Sequence, residues 1–307
     1  WVSVTALNGQ VRWQNERYVM PAVAWFLLSV GLGVAVTAAL VFSRRSRLKP
    51  AARVAFALIT GALLVVIGWE QRAVMAGQAW FFGRASRNIL DQHVRAAEQL
   101  ARGVLPRPQR VLVGDAGAIP YVSRLPALDI IGLGGYHDLP FAAATKRSVG
   151  AAVELIERMP PQERPDVMAI YPGWWSVLPL WYSSGAIDSF PVRGNVICGG
   201  PAKVLYRSDW SPLEGSALPQ SMRSGASVVD ELDLGDLVSE RRHRVRMPRH
   251  PEPAIVPKVL PNPGQRTRGL FDAGRILWSE VELEFELHGV AQRPAELLCR
   301  VAPEQEG

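Results

Sequence analysis

Cysteine is nearly missing from this sequence: Cys198 and Cys299 are the only two in 307 residues, and no CxxC or mixed Cys/His spacing surrounds them. That excludes a zinc ribbon and a dithiol redox motif. The two could pair if their part of the chain is exported, and their wide separation leaves that open. Histidine is also scarce, and His243 and His250 lack metal-ligand spacing, so both are expected at the surface. No GxSxG marks a nucleophile, which leaves the adjacent His137 and Asp138 without a hydrolase triad. "GLGGY" (Gly132–Tyr136) falls short of GxGxxG and opens no clear helix, so it reads as a turn. A signal peptide is absent too: Trp1–Tyr18 is polar and aromatic, without a charged start and a short apolar core. The start is therefore expected to be a cut within a larger protein.

Long apolar runs are confined to the first 76 residues. Val19–Phe42 contains no charge, and as a helix it would rise about 36 Å, enough to cross a ~30 Å hydrocarbon layer. Val54–Trp69 is shorter, but Ala51, Ala52 and a snorkelling Arg53 extend it. Spans are thus expected at 19–42 and 51–69. The loop between them, 43–50, carries Arg44, Arg45, Arg47 and Lys49, a cluster that stays cytoplasmic and puts everything after residue 77 outside. The net charge of +6 could suggest nucleic acid, but this cluster is topological, so no nucleic-acid partner is expected. A buried hairpin in a soluble protein is the alternative, and so long a charge-free run is hard to cover there.

Beyond the spans the patterning changes. "WFFGR" (Trp80–Arg84) has the make-up of an interfacial anchor. Ser86–Arg102 is expected to be an amphipathic helix burying Leu90, Val94, Ala97 and Ala101, with alternating charges on its other face. Short apolar runs at 110–115, 128–133, 166–171 and 202–207 read as strands, and Ser148–Met159 as a helix between them. Strands alternating with helices imply an external Rossmann-like α/β domain with a mainly parallel sheet, over 77–215. "VELEFEL" (Val281–Leu287) alternates strictly, and "ELLCRVA" (Glu296–Ala302) can pair with it, giving a small β-rich module over 216–307. The arginines Arg241, Arg242, Arg244, Arg246 and Arg249 could meet phosphates, but a solvated strand face opposite the glutamate row explains them more simply.

Several residues are candidates for chemistry. Asp115 directly follows a strand, where α/β sheets bind ligands, and its carboxylate could hold a sugar hydroxyl. The plainer role is a helix N-cap. Asp129 opens the next strand and could share a polar cluster with Asp115 and Tyr121. "YPGWWSVLPLWY" (Tyr171–Tyr182) is rich in aromatics; Trp174, Trp175 and Trp181 could stack on sugars or lie on a bilayer, with core packing the ordinary alternative. Arg17 and Tyr18, just before the first span, could bind a lipid-linked phosphate or form an ordinary interfacial pair.

Taken together, "NERYVMP" before a span, a late helical hairpin and "GDAGAIPYVSRLPALDIIGLGG" resemble the C-terminal part of bacterial GT-C-type glycosyltransferases. These are multi-span membrane enzymes similar to protein mannosyl-, aminoarabinosyl- and arabinofuranosyltransferases. In many of their tails a strand ends in Asp-(Ala/Val)-Gly, followed by Ile-x-Tyr and then an Asp before Gly-Leu. Asp115, Ala116, Gly117, Ile119, Tyr121, Asp129, Gly132 and Leu133 match that pattern. The resemblance covers about 14–210. It implies a polyprenyl-phosphate sugar donor, a glycan, lipid or protein acceptor, and a bacterial inner-membrane protein with an extracytoplasmic C-terminal domain. The family's catalytic carboxylate lies in an early external loop, so no catalytic residue and no metal site is expected in this chain; a divalent cation, if used, would be held elsewhere. Arg17 and Tyr18 become candidate donor-phosphate contacts. Asp115, Tyr121, Asp129, Trp174 and Trp175 become candidate substrate-facing residues. A non-enzymatic, membrane-anchored glycan-binding or envelope-assembly protein is the competing expectation.

Overall fold

The computed structural model describes residues 20–43, 49–103, 108–134, 136–175, 177–213, 227–248, 252–260, 270–278, 281–289, 295–299 and 301. Arg17, Tyr18, His250 and most of the basic loop lie outside them. The chain divides into two compact units, Trp1–Ala85 and Ser86–Gly307. Helix α1 (Met20–Phe42) and helix α2 (Pro50–Ile89) include two segments long and apolar enough to cross a membrane. α2 does not stop at Trp69 as expected but continues past Trp80–Arg84, because no proline or capping residue interrupts it there.

At Leu90–Val94 the helix widens into one π turn before continuing as α3 (Arg95–Ala101). This corrects the expected buried face. Leu90 is 41% exposed, whereas Asn88, Gln92 and His93 are buried beside Ala96, Ala97 and Leu100. A π turn holds more residues than an α turn and so rotates the face that follows it. Backbone groups of the 193–200 loop satisfy the polar side chains: Asn88 Oδ1 accepts the Val196 N–H (3.0 Å), and Gln92 Nε2 donates to the Gly200 carbonyl (3.2 Å). The outer charges pair as the spacing implies, Asp91 with Arg87 and Arg95, and Glu98 with Arg102.

A five-stranded sheet forms the centre of the second unit. Its strands are β1 (Val111–Val113), β2 (Ala127–Asp129), β3 (Val167–Ile170), β4 (Ser183–Pro191) and β5 (Ala202–Ser208). The order is β2-β1-β3-β5-β4, with β2, β1 and β3 parallel and β5 antiparallel to both its neighbours. Four strands therefore run one way, and the sheet is mixed. β1 and β3 are buried throughout, as interior strands covered on both faces must be. Their side chains alternate between two cores. Leu112, Met168 and Ile170 pack with helices α5 (Phe141–Arg147) and α6 (Val149–Glu157). Val111, Val113, Val167 and Ala169 pack with α3 and with Ile119 of α4 (Ala118–Ser123). Ser148 caps α6 by accepting the Ala151 N–H at 3.1 Å.

The C-terminal part contains helix α8 (Leu237–Arg242), following α7 (Val177–Tyr182), and a hairpin of β6 (Ile255–Leu260) and β7 (Leu270–Arg275). The hairpin lies against α6: a Cβ on Gly150 would come within 3.1 Å of Ala273 and 3.2 Å of Pro257, and Glu154 accepts the Ala273 N–H at 2.7 Å. Val281, Leu283 and Phe285 are half-buried while Glu282, Glu284 and Glu286 are exposed, so the alternation holds that far, but Leu287, expected inward with them, is exposed. The segment makes only a single bridge, Glu284 to Arg246, and residues 295–299 form no strand with it. The arginine row does face the glutamates, with Arg244–Glu286 at 3.0 Å and Arg246–Glu284 at 3.3 Å. His243 is fully buried, not at the surface, with its ring between the Ser239 carbonyl and the Asp230 carboxylate. Cys198 and Cys299 are both free thiols.

Candidate binding site at the sheet edge

Asp115 does not cap α4. The N-cap position there is Gly117, at φ +133°, and no side chain caps it. Leaving β1 through Gly114, the chain turns the Asp115 carboxylate toward three side chains from other elements, His93 of the π turn, Tyr171 just past β3 and Lys203 in β5, and Gln92 joins the cluster through Tyr171.

The hydrogen atoms in this cluster can be assigned from its partners. Gln92 Nε2 donates to the Gly200 carbonyl, so its Oε1 faces Tyr171 and accepts the phenol proton at 2.8 Å. Tyr171 Oη must then accept from His93 Nε2, also at 2.8 Å, which puts a proton on Nε2. Burial keeps the ring neutral, lowering His93 to a pKa of about 3, with the Lys203 charge adding to the effect.

That chain consumes the short hydrogen bonds and leaves Asp115 outside them. Its Oδ2 is 3.4 Å from both Tyr171 Oη and His93 Nε2 and 3.8 Å from Lys203 Nζ, and its side chain is 39% exposed. Lys203 is fully buried, without a hydrogen-bond partner among the described residues, and lies 4.2 Å from the centre of the Tyr171 ring. Burial brings its pKa down to about 8, against the opposing pull of Asp115. The site thus presents a solvent-open carboxylate with unused acceptor capacity, backed by a buried amine.

Among the described side chains around it, none of Cys198, Tyr171 and His93 is an activated nucleophile. Burial pushes the Cys198 thiol and the Tyr171 phenol up, and His93 has its proton committed to Tyr171. The arrangement suits holding a hydroxyl-bearing ligand better than cleaving one.

Of the other candidates, Trp174 reaches this site. Its ring is 5.0 Å from that of Tyr171 and 39% exposed, and Gly199 leaves it space, since a Cβ there would come 2.2 Å from the indole. Trp175 is buried instead, packed over Gly114 in the core, and Trp181 is partly buried against that core. Tyr121 is 71% exposed beneath the Arg124 guanidinium. The expected cluster of Asp115 with Asp129 and Tyr121 does not form, because the Asp129 carboxylate is spent on its own turn. It accepts the Ile131 N–H at 3.1 Å and the Gly134 N–H at 2.9 Å. Gln92, His93 and Lys203 carried no signal in the sequence; only the polar interruption of a helical face at Gln92–His93 hinted at two of them.

Gly114 makes room for the Trp175 indole beneath the turn that carries Asp115. A Cβ there would lie 2.3 Å from Trp175 Nε1, so Gly114→Ala is expected to displace the indole and cost about 1–3 kcal/mol. A lowered unfolding midpoint with red-shifted tryptophan fluorescence checks this.

Residues 87–229 match a family model described as a domain of unknown function (DUF8728). The matched stretch contains the whole five-stranded sheet and every side chain of the Asp115 cluster. Neither the curated proteins nor the solved structures contain a significant match to this chain.

Proposed function

We propose that this chain is the C-terminal part of a polyprenyl-phosphate-dependent membrane glycosyltransferase, and that its α/β domain holds a sugar at Asp115. The observation that carries the reading is the half-exposed carboxylate with spare acceptor capacity next to the Trp174 ring. A charged acceptor for hydroxyls beside an aromatic surface is the chemistry of carbohydrate binding. The resemblance of Asp115–Gly117, Ile119 and Tyr121 to the tails of GT-C-type enzymes supports the transferase class. In that reading the catalytic carboxylate belongs to an early external loop, and Arg17 and Tyr18 stand where a donor phosphate would be met.

The reading also makes the protein a multi-pass inner-membrane protein with residues 86–307 outside the cytoplasm. Supporting the membrane part, Ser29 and Thr37 return their hydroxyls to the carbonyls of Trp25 and Gly33 within α1, so neither hydroxyl is left unpaired on an apolar helix.

Asp115→Asn in the full-length protein tests the site. Losing a charged hydrogen-bond acceptor is expected to lower transfer from a polyprenyl-phosphate sugar roughly tenfold to a hundredfold, mainly through the KM for the acceptor. Unchanged transfer would remove Asp115 from the reading. If the complete protein binds glycans through Asp115 but transfers no sugar, the anchored glycan-binding protein takes its place, a class that the lack of an activated nucleophile also fits.

Topology has its own test. Cys299 is exposed, whereas Cys198 is half-buried with a raised thiol pKa. In a Cys198→Ser background, a membrane-impermeant maleimide is expected to label Cys299 in intact cells; labelling only after lysis would reverse the orientation.

A further inference from the structure

Away from the Asp115 site, Asp230, His243 and His288 bring one ligand atom each to a single point, all within 4.8 Å of one another. The two histidines are oriented alike. His243 Nδ1 lies 2.9 Å from the Ser239 carbonyl, and His288 Nε2 lies 3.2 Å from the Arg242 carbonyl. A carbonyl only accepts, so these two hydrogen bonds form when the ring proton sits on His243 Nδ1 and His288 Nε2. His243 Nε2 and His288 Nδ1 are left with lone pairs. This is the outer hydrogen bonding that orients metal-binding imidazoles.

The consequence is sharpest at His243, which is fully buried. Its Nε2 lone pair faces Asp230 Oδ2, itself an acceptor, at 3.1 Å. Two acceptors at that distance need a cation between or beside them: a second ring proton or a metal ion. Arg242, whose Nη2 is 3.5 Å from Asp230 Oδ1, approaches the other carboxylate oxygen and does not fill this role. Asp230 also lines a cleft of about 450 Å³ with Glu157, Glu231, Asp233 and Asp236, carboxylates that outnumber its two arginines, Arg158 and Arg242, and would draw cations to the cluster.

We propose that Asp230, His243 and His288 form a divalent transition-metal site, with zinc the fitting ion. Two imidazoles and one carboxylate suit zinc, and ligand atoms at ~2.0–2.2 Å from a tetrahedral ion lie roughly 3.4 Å apart, close to the 3.1 Å of the His243–Asp230 pair and within reach of the 4.8 Å that bounds the other two pairs. His288 is exposed, so the remaining position opens to water. The ion would tie residue 230, the end of α8 and the segment after Phe285 together. The proposal is independent of the sugar-binding reading, since no residue is shared with the Asp115 cluster.

The test uses the full chain in detergent, stripped with chelator and titrated with ZnCl₂, and in parallel with CoCl₂. One equivalent of zinc is expected to bind, and cobalt to show the intense visible absorption of a tetrahedral site. His288→Ala, at an exposed position, and Asp230→Asn are expected to weaken binding at least about tenfold and to abolish the cobalt bands. No saturable binding would overturn the proposal and leave a protonated His243–Asp230 pair. So would binding that both variants retain at full strength, which would place the ion elsewhere.

Discussion

Lys203→Met is expected to stabilise the second unit by about 3 kcal/mol at pH 7 while weakening its hold on a ligand. Lys203 enters a fully buried site with no hydrogen bond to its amine among the described residues, and burial takes its pKa from 10.5 to about 8. With the folded pKa below the unfolded one, the cost of keeping the proton is complete below pH 8. It shrinks as the pH rises through 8 and is gone above 10.5. Methionine fills a similar volume against the Tyr171 ring without that cost. The gain in unfolding free energy should therefore fall to below about 1 kcal/mol at pH 10. The same change removes the cation 3.8 Å from Asp115 and frees its carboxylate to turn toward water, so sugar affinity should drop. Denaturant unfolding at pH 7 and pH 10, with glycan titration at pH 7, measures both. A destabilised variant at pH 7 would mean that the Asp115 and Tyr171 contacts of Lys203 outweigh its desolvation.

Glu154→Gln should give a second gain of similar size with the opposite pH dependence. Glu154 is buried in α6, where burial first and then Asp233 and Glu157 raise its pKa from 4.5 to about 9. The folded protein keeps this carboxyl protonated at pH 7, and the unfolded chain does not. Its contribution is fully present below pH 4.5 and is lost as the pH rises through 9. Glutamine keeps an acceptor for the Ala273 N–H, now at 2.7 Å, and its amide can donate to the neighbouring Asp233 or Asp272 carboxylate. A gain of roughly 2–3 kcal/mol at pH 7, vanishing near pH 4, is the expected result by thermal or chemical unfolding. An equal gain at both pH values would point to packing instead of ionisation.

The two substitutions also show which parts of this protein its sequence announces. β1 and β3 were legible because a strand covered on both faces needs an unbroken apolar run, and "VLV" and "VMAI" supply one. β4 was not: "SSGAIDSFP" is an irregular edge strand with two register shifts, so neither an apolar run nor strict alternation marks it. Asp115 could be singled out from its place after a strand. Its partners could not, since Lys203 at a strand start reads as a solvated charge until Tyr171 covers it. Asp129 and Tyr121 look equivalent to Asp115 in the chain. Only the turn geometry at Gly132 and Gly134 shows that one is used up locally, and only packing shows that the other faces away.

The π turn at Leu90–Val94 makes the Asp115 site depend on chain length as well as on composition. Each residue advances a helix by about 100°, so the surplus in that wide turn is what brings Gln92 and His93 inward while Ala96 and Leu100 still face the core. Removing Leu90 or Val94 would take away no charged or polar side chain, yet it would put the two halves of the face out of phase. Either the polar relay or the apolar seam would have to point at solvent. This short stretch behaves as a spacer of fixed count, tolerant of many substitutions on its outer side and intolerant of a single deletion.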